Sequence, residues 1–371
     1  MSCVLFNEIS TQDGHKIVEM TLNAERSLNA LTFDMMELIF PQLPEIQDDD
    51  SVVAVILDGA GEKAFCAGGD IINLYKSMTG EGGSGFGERF FTLEYQLDYL
   101  IHTFRKPIIC WGAGIVMGGG MGLMNGCSHR IVTETSHLAM PEVTIGLYPD
   151  VGGSWFLNRM PGRTGLFLGL TGNPMNAADA LWLGLADRFL TNDMRSRMVN
   201  DLQAAPWQHS ENAHAVVNGV LRKLEKDAQP QFTQTSPVLT HFDTIQAVTD
   251  HDSVVEIVAA IQLLSTEDKW LNRAKKSISH GSPLAIHLIA EQLQRCKHMS
   301  LQEVFQAELI LSVQCCNNDE FPEGIRALLV DKDGQPKWTF ASVAEVDCKV
   351  VEAFFAPPWE TNPLLATVGV V

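Results

Sequence analysis

Two carboxylates eight residues apart, Glu142 and Asp150, lie in Met140-Pro-Glu-Val-Thr-Ile-Gly-Leu-Tyr-Pro-Asp-Val-Gly-Gly153, a stretch otherwise apolar or shaped by proline and glycine. Burial in such surroundings raises a carboxyl pKa and leaves the group able to act as base or nucleophile. Two further segments offer backbone donors instead. Ala64-Phe-Cys-Ala-Gly-Gly-Asp-Ile71 and Gly112-Ala-Gly-Ile-Val-Met-Gly-Gly-Gly120 each follow a strand-like run. A glycine-rich strand-to-helix turn exposes N–H groups that attract an anion or a developing oxyanion. Two such turns could offer one N–H each to a single carbonyl oxygen. Structural readings stand beside these. Asp150 ahead of Val-Gly-Gly-Ser-Trp is placed to N-cap a helix, and Glu142 after Pro141 to sit in a first helical turn. Gly112-Ala-Gly-Ile-Val-Met-Gly118, with Glu134 further on, is also a loose dinucleotide-binding fingerprint, although Gly119-Gly120-Met-Gly122 has no role in one.

The elements that must position these residues alternate between strand and helix patterns. Residues 4–6 and 17–22 read as strands flanking the turn Asp13-Gly14, and helix periodicity begins at Thr32 and stops at Pro41. Residues 52–57 and 107–111 are apolar, β-branched runs of the kind that form buried strands. Strands follow at 131–133 and 138–140, and helices at 154–160 and 177–185. Residues 80–87, Gly-Glu-Gly-Gly-Ser-Gly-Phe-Gly, have the composition of a mobile lid. After about residue 195 strand signals nearly vanish: 228–236 reads as a polar connection, and 253–264, 283–296 and 301–316 are helical. The expected organisation is an α/β region over residues 1–200 and a mostly helical region over 201–371. No internal repeat is evident.

Composition narrows the ligand. The 371 residues carry 26 Lys+Arg against 45 Asp+Glu, a net charge of −19, which disfavours a nucleic-acid partner. Hydrophobic residues at 46% and charged residues at 19% suffice for a large core. Residues 107–129 contain no Asp, Glu, Lys or Arg, but their seven glycines argue against a membrane span and for backbone packed close to a ligand. The opening residues lack a basic segment followed by an apolar one, giving a cytoplasmic location as the expectation. Eight scattered cysteines without a CxxC pair read as reduced, buried thiols, with neither disulfides nor a metal site.

Taken together, Lys63-Ala-Phe-Cys-Ala-Gly-Gly-Asp-Ile71, Met117-Gly-Gly-Gly-Met-Gly-Leu123, the Glu142–Asp150 stretch and Asp319-Glu-Phe-Pro-Glu-Gly-Ile-Arg-Ala-Leu-Leu-Val-Asp-Lys-Asp333 resemble the enoyl-CoA hydratase/isomerase (crotonase) superfamily. Within it they resemble the 3-hydroxyisobutyryl-CoA hydrolases, over about residues 4–340. The resemblance implies a spiral of β-β-α turns followed by packed helices. It implies an acyl-CoA substrate, no metal or redox cofactor, a place in valine catabolism, and is compatible with a homo-oligomer. By position, Gly69 and Gly119 match the oxyanion-hole amides, Glu142 the catalytic glutamate, Asp150 the second carboxylate and Glu94 a substrate-contacting glutamate. Ala67 and Asp70 match the backbone that receives the CoA adenine, and Arg26, beside Glu25, stands in for a phosphate-facing lysine. The family's hydratases carry a second glutamate two residues after the triple glycine, where this chain has Gly122, so hydrolysis is the expected reaction. Another lyase or isomerase of the superfamily, or a catalytically silent CoA-binding protein, are the alternatives.

Overall fold

A computed structural model describes residues 2–81, 83, 85–209 and 212–369. Gly82 and Ser84, in the expected lid, lie outside the described residues. Among the described residues nine strands form two sheets: β1 (Val4–Ser10), β2 (Lys16–Leu22), β3 (Val52–Gly59), β4 (Ala64–Cys66), β5 (Ile108–Gly112), β6 (Ile115–Met117), β7 (His129–Val132), β8 (His137–Ala139) and β9 (Arg188–Phe189). The larger sheet has the order β1-β2-β3-β5-β7-β9, and the smaller β4-β6-β8. β1 and β2 form an antiparallel hairpin, while β3, β5, β7 and β9 continue in parallel. β3 is buried along nearly its whole length, as its continuous Val/Ile/Leu run requires of a strand covered on both faces.

The chain passes three times through one pattern. β3 then β4 lead to the helix Ile71–Met78, β5 then β6 to the helix Gly119–Gly126, and β7 then β8 to the 3₁₀ turn Glu142–Ile145. In each pass the first strand joins the larger sheet and the second the smaller. The structure thus contains a repeat that the sequence does not display, because the passes share strand order and a terminal turn but no residue pattern. Each second strand is followed by one candidate residue: Gly69, Gly119 and Glu142.

The first helix spans Phe33–Asp48 and runs through Pro41 and Pro44, correcting the expected stop. Each proline removes one backbone donor. The helix persists because Met35, Met36, Ile39, Leu43 and Ile46 form one buried stripe that outlasts the lost bonds. Beyond residue 203 the described residues contain no strand, and helices include Ala213–Ala228, Val254–Gln262, Pro283–Cys296 and Leu301–Cys316. The expected connection at 228–236 is a 3₁₀ turn, Gln229–Gln231, followed by extended chain.

Two compact units emerge, each assembled from separated stretches. The first comprises Met1–Gly69, Leu97–Leu138 and Met175–Ser236; the second comprises Asp70–Gln96, Ala139–Pro174 and Pro237–Val371. The division expected near residue 200 falls within the helix Arg195–Gln203 of the first unit. No described helix is long and apolar enough to cross a membrane. All eight cysteines are free thiols.

Candidate active site

In the first unit, a parallel register aligns the two glycine turns. Ala64 pairs with Ile115 and Cys66 with Val116, so Gly69 and Gly119 each follow a paired position by three residues. Gly118, the N-cap of its helix, has φ 48° and ψ −121°, a conformation that side chains disfavour. Gly120 is pressed against β4 so closely that a Cβ there would stand 2.3 Å from the Cys66 carbonyl oxygen. A second anchor acts from the other side. The buried Asn29 side chain donates to the Ala60 and Ala64 carbonyls, both at 2.9 Å, and accepts from the Ala24 amide at 2.9 Å. This fixes Leu28, whose carbonyl accepts from the Ala67 amide at 3.1 Å, and Leu31, whose amide donates to Gly68 at 2.8 Å. Neither the Gly69 nor the Gly119 amide donates to a backbone carbonyl among the described residues. Two N–H groups so placed suit a carbonyl oxygen that gains charge during reaction. Arg26 is exposed on the 3₁₀ turn Glu25–Ser27.

The second unit holds the carboxylates. Glu142 opens the 3₁₀ turn Glu142–Ile145 behind Pro141, as the first-turn reading expects, and its amide-linked carbonyl accepts from Leu147 at 3.0 Å. Its side chain is buried, and Oε2 has no hydrogen-bond partner among the described residues. Burial pushes its pKa well up, and the charge of Asp150 adds to the shift. A buried carboxylate oxygen left unpartnered is costly to a fold, and beside a second buried acid it makes Glu142 a candidate for chemistry.

The late motif clamps this turn. A Cβ on Gly146 would meet the Glu320 carbonyl at 2.5 Å, and one on Gly324 would meet the Ile145 carbonyl at 2.4 Å. The motif is itself tied by Arg326, which pairs with Glu323 at 2.8 Å, Asp331 at 2.5 Å and Asp333 at 2.8 Å.

Asp150 is not a helix cap, which corrects the structural reading of it. The helix Gly153–Leu157 has Gly152 as N-cap. Its free amides at Gly152 and Ser154 donate instead to the Glu308 carboxylate, at 2.8 and 2.9 Å. Burial pushes Glu308 up to about 8 and Asp150 up to about 6. Asp150 Oδ2 accepts a hydrogen bond from the buried Tyr95 hydroxyl at 2.7 Å. Val151 beside it holds φ 52°, an unusual conformation for a β-branched residue and the kind of strain that collects at working sites. Glu94, adjacent to Tyr95 on the helix Phe86–His102, is buried at 2% exposure.

The structure therefore brings Glu142, Asp150 and the Glu94–Tyr95 pair into one unit, and Ala67, Gly69 and Gly119 into the other. Asp70 caps the helix Ile71–Met78, accepting from the Asn73 amide at 3.2 Å and its side-chain amide at 2.6 Å.

The chain matches the model of the enoyl-CoA hydratase/isomerase family over residues 17–355. It belongs to that family. Among curated relatives it is 36% identical to "3-hydroxyisobutyryl-CoA hydrolase, mitochondrial" of Gallus gallus, covering 94% of this chain and 88% of that one. The Homo sapiens protein of the same name is 36% identical, with 88% and 83% covered. Two solved structures are also similar. An enoyl-CoA hydratase from Rhodobacter sphaeroides is 32% identical with a TM-score of 0.82, covering 96% of this chain and 98% of that one. A carnitinyl-CoA dehydratase from Mycobacterium thermoresistibile is 33% identical with a TM-score of 0.86 over the full length of both. These likenesses bear out the crotonase-type spiral with its helical C-terminal region.

Sequence reasoning in this family missed Tyr95, Ser312 and Glu308 as parts of the carboxylate site. Ser312 and Glu308 lie on the helix Leu301–Cys316, more than 150 residues from the groups they contact. The one local signal is that both interrupt its buried apolar face. Among the described residues no group of three or more His, Cys, Asp or Glu could hold a metal ion.

Proposed function

We propose that the chain hydrolyses a short-chain 3-hydroxyacyl-CoA thioester, 3-hydroxyisobutyryl-CoA, to 3-hydroxyisobutyrate and CoA, as in valine catabolism. The observation that carries this reading is the buried Glu142 carboxylate with an unpartnered oxygen, electrostatically joined to a second buried acid. Gly122 stands where the family's hydratases have their second glutamate, which removes the group that would hold and deliver water to a double bond. The names of the curated relatives support the substrate.

In this reading the amides of Gly69 and Gly119 stabilise charge on the thioester oxygen as the tetrahedral centre forms. Glu142 either attacks the carbonyl carbon, giving an anhydride that water opens, or takes a proton from a water that attacks directly. The carbon–sulfur bond breaks with its electron pair on sulfur, and the thiolate takes up a proton. Glu94 and Asp150 contact the acyl group, the Ala67–Asp70 backbone receives the adenine, and Arg26 faces a phosphate. No metal or redox cofactor takes part, and coenzyme A belongs to the substrate. The relatives' names place those proteins in mitochondria. A cytoplasmic location and self-association remain parts of this proposal, to be tested by cell fractionation and light scattering.

The two similar solved structures, an enoyl-CoA hydratase and a carnitinyl-CoA dehydratase by name, favour a second reading, a lyase acting on an enoyl- or hydroxyacyl-CoA. A thiol-release assay on 3-hydroxyisobutyryl-CoA, 3-hydroxypropionyl-CoA and crotonyl-CoA separates the two. Free CoA is the expected product. Loss or gain of enoyl absorbance without free thiol would replace hydrolysis by the lyase reading, and binding without turnover would leave a silent CoA-binding protein.

A further inference from the structure

Asp150 stands at the end of a line of hydroxyls within the second unit. Tyr95 Oη lies 2.7 Å from Asp150 Oδ2 and 2.6 Å from Ser312 Oγ. Ser312 Oγ lies 2.8 Å from Tyr148 Oη, which lies 2.7 Å from the Glu308 carbonyl oxygen. Tyr95, Tyr148 and Ser312 are all fully buried.

Counting protons along this line gives a definite result. There are four oxygen–oxygen contacts, and the three hydroxyls own three protons. If Asp150 is ionised it can only accept, so Tyr95 must donate to it. One proton from Ser312 and one from Tyr148 then remain for three contacts, and one contact stays unfilled in every arrangement. If Asp150 carries a proton, it donates to Tyr95, Tyr95 to Ser312, Ser312 to Tyr148, and Tyr148 to the Glu308 carbonyl. All four contacts are filled in one direction, the arrangement in which successive hydrogen bonds strengthen one another.

We propose that Ser312 and Tyr148, by drawing the Tyr95 proton away from Asp150, keep a proton on Asp150, so that Asp150 enters thioester hydrolysis as an acid while Glu142 acts as the ionised partner. The inference rests on the hydrolase reading above. As the carbon–sulfur bond breaks, the proton passes from Asp150 to sulfur. The water whose oxygen adds to the acyl carbon returns one proton to Asp150, so the products are the free acid and the CoA thiol. Tyr95, Ser312 and Tyr148 are positioning residues.

The charges facing Asp150 agree with this. Besides the hydroxyl line and the backbone amide of Asp150 itself they are Glu142 on its 3₁₀ turn and Glu308, Cys315 and Cys316 on the helix Leu301–Cys316, while Glu94 acts on Tyr95. None is a cation. Burial raises both Glu142 and Asp150, and two acids that act on each other share a proton between them. Oε2 of Glu142 has no hydrogen-bond partner among the described residues, whereas Asp150 has the Tyr95 oxygen to receive its O–H.

Two substitutions move the proton in opposite directions. Ser312→Ala cuts the line and leaves two contacts for two tyrosine protons, which suits an ionised Asp150, so its pKa falls. Tyr95→Phe removes the donor that serves the ionised form, so its pKa rises. The Asp150 carboxylic acid is followed by its infrared carbonyl stretch, identified by its loss in Asp150→Asn. The titration midpoint should fall by about one pH unit, a tenfold change, in Ser312→Ala and rise by a similar amount in Tyr95→Phe. The basic limb of kcat against pH should move with it. Midpoints that stay fixed, or that move the same way in both variants, would overturn the proposal. Wild-type protein that releases no CoA would overturn the hydrolase reading instead, and that result is known before any variant is compared.

Discussion

Asp58 and Asp150 are equally buried, each at 4% exposure, and burial raises both, yet their surroundings make them different devices. Asp58, at the end of β3 in the first unit, pairs with Arg195, whose guanidinium also holds Glu19 at 2.6 Å. The group lines a cavity of about 640 Å³ together with Thr21, Trp111 and Asn192. Burial alone would depress Arg195, but the carboxylates of Asp58 and Glu19 hold its pKa up. Asp150 in the second unit meets the Tyr95 hydroxyl, its own backbone amide and other acids, with no cation paired to it among the described residues. A buried acid with a guanidinium partner keeps its charge and serves the fold; one facing hydroxyls keeps the option of a proton. Equal burial therefore does not mean equal purpose, and substitutions in the two places should separate in sign.

The largest effect belongs to Glu142, the extreme case of an acid without a compensating cation. Glu142→Gln should reduce CoA release from 3-hydroxyisobutyryl-CoA by at least about 10³-fold, with circular dichroism and Tm preserved. Near wild-type turnover in this variant would remove Glu142 from the chemistry.

Asp150→Asn should lower kcat by roughly 10²-fold, near the lower end of acid–base contributions, and yet stabilise the fold. The sign follows from linkage. Folded Asp150 holds its proton up to about pH 6, against 3.8 for an ordinary aspartate, so the native state binds more protons between those values. Its penalty on stability grows as pH rises through that window and is complete above it, reaching about 3 kcal/mol. The amide pays no such penalty and can still donate to Tyr95. Urea unfolding at pH 7 should show the gain, and at pH 4 the gain should vanish.

Asp58→Asn should do the reverse. The amide relieves the burial cost of the Asp58 charge, but Arg195 loses one of two carboxylates while remaining about a third exposed, so a net loss of roughly 1 kcal/mol is expected, with kcat unchanged. A stabilised Asp58→Asn, or a destabilised Asp150→Asn, would dissolve the contrast between the two sites.

How far the sequence displays all this depends on distance along the chain. The glycine turns are legible because a strand, a turn and a helix start are local, and Glu142 is legible because Pro141 and the apolar run around it announce burial. The prolines at 41 and 44 mislead: nothing within one turn shows that five buried side chains carry the helix past them. Asp150 misleads more instructively. A local rule makes it a helix cap, but the cap is the carboxylate of Glu308, 156 residues from the Gly152 amide it accepts from, and this frees Asp150 for Tyr95. Ser312, 217 residues from Tyr95, is silent in the sequence for the same reason. The threefold passage through the two sheets is likewise a property of strand placement that no residue pattern carries.

The smallest expected effect is at Arg26, and it extends the contrast from buried charge to exposed charge. A chain of net charge −19 repels a polyanionic acyl-CoA at long range, so each basic group facing that ligand must act locally. Arg26 is exposed on a short turn, so water and salt screen it and its contribution to binding is small. Arg26→Ala should raise KM for the acyl-CoA by about two- to fivefold at low salt, leave kcat within error, and lose its effect as ionic strength rises. The same titration of salt should leave the Glu142→Gln and Asp150→Asn defects untouched, because buried groups are little screened. A KM that ignores Arg26 at every salt concentration would take Arg26 off the phosphate, and would require the CoA phosphates to be held by other groups.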